Sequence, residues 1–303
     1  MSLGYEDNRA KSGPALKKKK ASGAAQRKNG NVKKGKTRSG AAKQNKNVKH
    51  KNKKADIIST TVLIIAACVL VFSLYQLTMM LVPYYFGGQE YDEVKKLAIT
   101  VEQDSEDGKD VFKVDFDALK AENPDTVAWL RFEAPEVINY PVVKSADNEE
   151  YLTKTFSASD NKLGAIFMDK RSNPGFTDRN TFIYGHNMKV GGEMFSQLNE
   201  YASEAFCKEH PYFYIYTPDD TVRTYQVFSA SVVKDVAENY EIMYPTEEKY
   251  VEYLQMCKNT SNYQVDVQLD AASKIVSLST CTNVNDDERF LLQGVLIGEE
   301  PNK

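Results

Sequence analysis

Cysteine and histidine are scarce in this chain, which holds four of the first and three of the second in 303 residues. No two cysteines stand at a metal-binding spacing, and only His186 and His210 lie in the second half, so neither a zinc site nor any other cofactor is expected. Cys68 falls inside an apolar run, which leaves Cys207, Cys257 and Cys281 beyond it. A secreted domain stapled by disulfides carries more cysteines, usually in even number. Three leave at least one free thiol, and spacing alone does not say whether Cys207 and Cys257 pair. The chain also lacks a GxGxxG turn, a Walker-type phosphate loop and any internal repeat, so nothing supports a nucleotide-binding βαβ fold.

Charge is divided unevenly. Residues 1–55 hold 18 Lys and Arg against only Glu6 and Asp7, whereas the remainder carries 21 basic and 40 acidic residues. The basic arm from Arg9 to Lys54 has no aromatic and almost no branched aliphatic residue, so it cannot bury enough apolar surface to offset its chain entropy. A disordered tail is predicted over 1–55. The run Lys17-Lys18-Lys19-Lys20 suits nucleic acid or anionic lipid, but an apolar span follows directly. Orienting that span in a membrane is the simpler role, and no nucleic-acid partner is expected.

The span runs from Ile57 to Val82 without a charge, and about 20 apolar residues suffice to cross a bilayer as a helix. Tyr84, Tyr85 and Phe86 suit the far interface. The long segment before the span argues for an uncleaved anchor rather than a signal peptide. Lys51, Lys53 and Lys54 precede it and acidic residues follow, which predicts a cytoplasmic N-terminus and an extracellular remainder. The expected parts are a tail at 1–55, an anchor with its interface at 56–86, a stalk at 87–111 and a catalytic domain at 112–303.

Beyond the stalk, apolar spacing predicts a helix over 112–122, stopped before Asn123-Pro124. Short β-rich runs between turn signals then predict strands near 127–132, 137–143, 164–168, 180–185, 212–217, 222–234, 274–280 and 289–298. Helices fit 147–154, 193–207 and 246–259. This pattern predicts a mainly β domain, a closed antiparallel barrel or sandwich with peripheral helices.

Cys281 ends the run Ser273-Lys-Ile-Val-Ser-Leu-Ser-Thr-Cys, at the exit of a strand. It is either a nucleophile held rigidly at the rim or a small buried hydrophobe. His186 ends the strand Thr181-Phe-Ile-Tyr-Gly-His, where it is either a base or a surface turn residue. His210, beside Lys208, Glu209 and Pro211, reads as a solvated loop residue. Arg289 opens the last strand, either paired with Asp286 or Asp287 or serving an oxyanion.

Together, IYGHNM at 183–188, SLSTC at 277–281 and ERFLLQG at 288–294 resemble the signature segments of sortases, in that family's order. Ser277 stands where the family usually has threonine. GAIFMDKR at 164–171 and DTVAWLRFE at 125–133 resemble sortases as well, the first most like class B, and a late helix at 246–259 fits the same class. The resemblance covers 112–298. It implies a sortase-type barrel and a cysteine transpeptidase with Cys281 as nucleophile, His186 as acid and base, Arg289 either stabilising the oxyanion or holding the sorting peptide's backbone carbonyls, and Thr280 as a substrate contact, with no metal or cofactor. The implied partners are secreted proteins with a C-terminal sorting signal and a lipid-linked peptidoglycan precursor amine, at the plasma membrane of a Gram-positive-type cell. Pilin polymerisation and plain cysteine peptidase activity remain as alternatives.

Overall fold

The computed structural model describes residues 47–103, 110–136, 138–188 and 191–302. The basic tail expected over 1–55 therefore lies outside the described residues up to position 46. Two compact units are defined, Met1–Val62 and Leu63–Lys303; what is described of the first is helical.

The first helix, α1, spans Asn47–Ala98. Among the described residues it is the one helix long and apolar enough to cross a membrane. Large side chains along its first half, such as Leu63 and Phe72, are exposed, with nothing of the protein packed against them. Its end behaves differently. Residues 87–98, expected as the start of a stalk, continue the helix, and Tyr91, Val94 and Ala98 are buried in the main core. Pro83, Gly87, Tyr91, Val94 and Ala98 recur at helical spacing, which places them on one stripe.

A hairpin follows, β1 (Ile99–Gln103) against β2 (Asp110–Val114). The helix expected over 112–122 is thus shorter. Phe112, Val114 and Phe116 alternate with polar residues, a strand period. The helix α2 (Phe116–Glu122) begins only where the Asp115 side chain caps the Ala118 amide at 2.9 Å.

The barrel strands come next: β3 (Thr126–Phe132), β4 (Asn139–Val143), β5 (Ile166–Met168) and β6 (Asn180–Tyr184). After the short helix α3 (Glu204–Glu209) come β7 (Tyr212–Thr217) and β8 (Thr221–Lys234), then α4 (Glu247–Thr260), β9 (Ile275–Cys281) and β10 (Glu288–Pro301). The predicted strands match these closely. The sheet closes in the order β10-β8-β7-β3-β4-β5-β6-β9. Most neighbours run antiparallel, but β4 with β5 and β6 with β9 are parallel. The helix expected at 147–154 is one 3-10 turn, Glu150–Leu152, with Asp147 accepting from the Glu149 and Glu150 amides. The one expected at 193–207 divides at Ser203 into a 3-10 stretch, Ser196–Ala202, and α3, which Ser203 caps. The one expected at 246–259 is α4, displaced by a single residue and capped by Thr246.

Cys207 and Cys257 are unpaired, each fully buried on its own helix, and burial pushes both thiols up. Neither has the environment of a reactive thiolate.

Candidate active site

The parallel pairing of β6 with β9 builds the site. In parallel strands the C-terminal ends emerge at the same edge. The last register pair is Tyr184 with Ser279, and the Gly185 amide still donates to the Ser279 carbonyl at 3.2 Å. His186 and Cys281 each lie two residues further along. On the other side of β9, Cys281 is the register partner of Arg289 on β10. All three line a cavity of about 290 Å³, whose wall also includes Asn148, Leu152, Tyr184, Asp235, Tyr240 and Ser279.

β9 is buried along nearly its whole length, as a strand packed on both faces must be. Its serines are satisfied: Ser277 donates to Asn180 Oδ1 at 2.8 Å, and Ser279 Oγ lies 2.7 Å from Tyr240 Oη. Cys281 shares their face by strand alternation and is partly exposed. Thr280 faces the other way, with Val276 and Leu278 of the main core. It is 2% exposed and its Oγ1 has no hydrogen-bond partner among the described residues. Thr280 is among the residues that line the cavity. Alternation turns its hydroxyl toward the core, away from the face that Cys281 shares.

The histidine is held by main chain. His186 Nε2 lies 2.7 Å from the Leu152 carbonyl. A carbonyl only accepts, so Nε2 carries the hydrogen and Nδ1 is left free to exchange a proton. Gly164 explains how the loop comes so close. Its φ is +63°, and a Cβ there would sit 2.8 Å from His186 Cδ2 and 2.9 Å from the Leu152 oxygen. Only glycine accommodates both demands.

Arg289 donates to the Asp286 carbonyl at 2.7 Å and the Glu288 carbonyl at 3.0 Å, and its Nη2 reaches Asp235 Oδ2 at 3.4 Å. The partner expected from the neighbouring acids is instead on β8's outgoing loop. Asp286 contributes its carbonyl, and Asp287 pairs with Lys234. Burial pushes the Tyr240 phenol up to about 12, so it stays neutral beside the thiol. Asp169 is fully buried behind Tyr184. Burial works to raise its carboxyl, but Arg171 and the Tyr184 hydroxyl hold it down at about 2.

Two asparagines were not singled out from the sequence. Asn187 donates to the Cys281 carbonyl and Asn283 to the Asn187 carbonyl, each at 2.7 Å, which ties the two rim loops together. Asn283 does so at φ +60°, a conformation asparagine tolerates. Adjacency to His186 was the available signal for Asn187; Asp235 and Tyr240, distant in sequence, left none.

A thiol, an imidazole and a guanidinium on one cavity wall are groups suited to acyl transfer at a peptide carbonyl: a nucleophile, a proton carrier and a donor for an oxyanion. A sortase-domain family model matches residues 132–297. Sortase B of Listeria monocytogenes is 35% identical over 183 residues, 59% of this chain and 72% of that protein. Sortase B of Staphylococcus aureus is 30% identical over 169 residues, 55% of this chain and 67% of that one. Among solved structures, sortase B from Bacillus anthracis in complex with AAEK1 superposes with a TM-score of 0.61 at 29% identity, covering 71% of this chain and 98% of that one. A Staphylococcus aureus sortase B–substrate complex gives 0.56 at 27% identity, covering 60% and 84%. The chain belongs to the sortase family and is a cysteine transpeptidase, most like class B sortases. At that level its function is to anchor proteins to the cell wall.

Proposed function

We propose that the chain is a single-pass membrane enzyme that cleaves a C-terminal sorting motif in secreted proteins and joins them to the amine of a lipid-linked peptidoglycan precursor. The observation that carries this reading is that Cys281, His186 and Arg289 line one cavity. In the first step the Cys281 thiolate attacks the scissile carbonyl, and Arg289 stabilises the oxyanion. The C–N bond breaks, and protonated His186 delivers its Nδ1 proton to the departing amine. In the second step neutral His186 takes a proton from the incoming amine, which attacks the thioester, and the C–S bond breaks to restore the thiolate. A guanidinium remains charged throughout, as an oxyanion partner must. The apolar stretch of α1 from Ile57 to Val82 supports the anchor, with the basic tail on the cytoplasmic side and the barrel outside.

The test uses the full chain in detergent micelles, since Tyr91 and Val94 of α1 belong to the barrel's core. It is incubated with a library of fluorescent sorting-type peptides and a small amine, and products are read by mass spectrometry, with Cys281→Ala as control. An amine-ligated product absent from the control supports the reading and names the motif. Hydrolysis without ligation points to a peptidase. Covalent protein ladders with pilin-type substrates point to pilus assembly.

A further inference from the structure

The C-terminal end of α1 reaches the histidine's cradle. Along one stripe it meets the segment 157–164. Asn161 donates to the Pro83 carbonyl at 3.0 Å, and Gly87 lies so close to Leu163 that a Cβ would fall 2.7 Å from its Cδ2. Glu90 Oε1 accepts from the Ser157 amide and hydroxyl at 2.9 and 2.7 Å. Tyr91, 3% exposed, donates its hydroxyl to the Gly164 carbonyl at 2.8 Å, while its ring packs edge-on against Tyr140. Gly164 is the residue pressed against the His186 ring and the Leu152 oxygen. Its neighbour Ala165 is hydrogen-bonded to the Tyr151 carbonyl at 3.0 Å. One buried hydroxyl thus separates the helix that carries the apolar span from the groups that orient the imidazole.

We infer that Tyr91 is a positioning residue for His186, so that the ring's orientation, and with it turnover, depends on α1 being seated on the barrel through the Gly164 carbonyl. The inference rests on the reading of His186 as the acid and base. Packed interiors transmit such displacements because they deform little. An error of about 1 Å in a catalytic group, set from outside the chemistry, costs up to roughly a hundredfold in rate.

The experiment compares the full-length wild type with Tyr91→Phe in detergent micelles, both labelled with 15N-histidine. Phenylalanine keeps the ring contact with Tyr140 and removes only the hydroxyl. His186 is assigned by its disappearance in His186→Ala. Two readouts are taken: hydrogen exchange at His186 Nε2, and kcat and KM on the library peptide that the wild type ligates fastest. In Tyr91→Phe, exchange at Nε2 is expected to quicken and kcat to fall, each by about tenfold, with KM almost unchanged. A purely structural tyrosine would lower the melting temperature and leave both readouts alone, and that result overturns the inference. Failure of the underlying reading shows separately, as a fully active His186→Ala.

Discussion

Tyr184 and Ser279 form the last pair of the parallel β6–β9 ladder, and His186 and Cys281 lie two residues beyond them. The histidine is therefore delivered to the thiol's edge by the sheet itself rather than by a flexible loop. His186→Ala leaves that ladder intact. Ligation is expected to fall by about a hundredfold to ten-thousandfold, while Cys281 remains alkylatable by iodoacetamide. Full activity in this variant would mean that another group moves the proton.

Arg289 is held by two carbonyls and Asp235 at the position facing Cys281. Arg289→Lys preserves the charge but not the planar fork. Turnover is expected to drop roughly a hundredfold with the unfolding midpoint little changed. Steady-state kinetics on the ligated peptide check this, and near wild-type turnover sinks the oxyanion role.

Gly164→Ala tests the cradle. The new methyl would meet the Tyr151 and Leu152 carbonyls, which cannot swing aside as a side chain can, at a φ that already disfavours alanine. A loss of about 1–3 kcal/mol in stability is expected. Turnover should fall further than the unfolded fraction explains, because His186 must shift as well. Denaturant unfolding and kinetics measured on the same sample separate the two effects.

Asp169 makes stability depend on pH. Its carboxyl accepts from Arg171, Tyr184 and Asn148 and titrates at about 2 in the folded chain against an ordinary 3.8. A depressed folded value contributes stability that is fully present above the ordinary carboxylate range and disappears as pH falls through the folded value. Asp169→Asn is expected to cost about 2 kcal/mol at pH 7, with the gap to wild type narrowing below about pH 4. A gap constant from neutral to acid pH would remove the carboxylate from the account.

The residues we propose carry the chemistry were legible in the sequence because each sits in a short local pattern: a strand that stops at histidine, another that stops at cysteine, a third that opens on arginine. The strands were legible for the same reason, since alternation and turn residues are local signals. Short helices were less so. At 112–114 an alternating run read as helix, because over so few residues the two periods overlap. At 193–207 the break at Ser203 was hidden in a continuous apolar pattern.

The sequence by itself determined the division into a basic tail, an apolar span and an acidic β-rich remainder, because charge and hydropathy act on each segment where it stands. Tertiary structure alone decided that β6 and β9 run parallel, that Thr280 turns inward while Cys281 faces the cavity, that Asp235 rather than Asp287 meets Arg289, and that the end of α1 is core rather than stalk. Each of these rests on a contact between residues far apart in the chain, such as Tyr91 with Gly164. Such contacts form only once the barrel closes, and no local propensity encodes them.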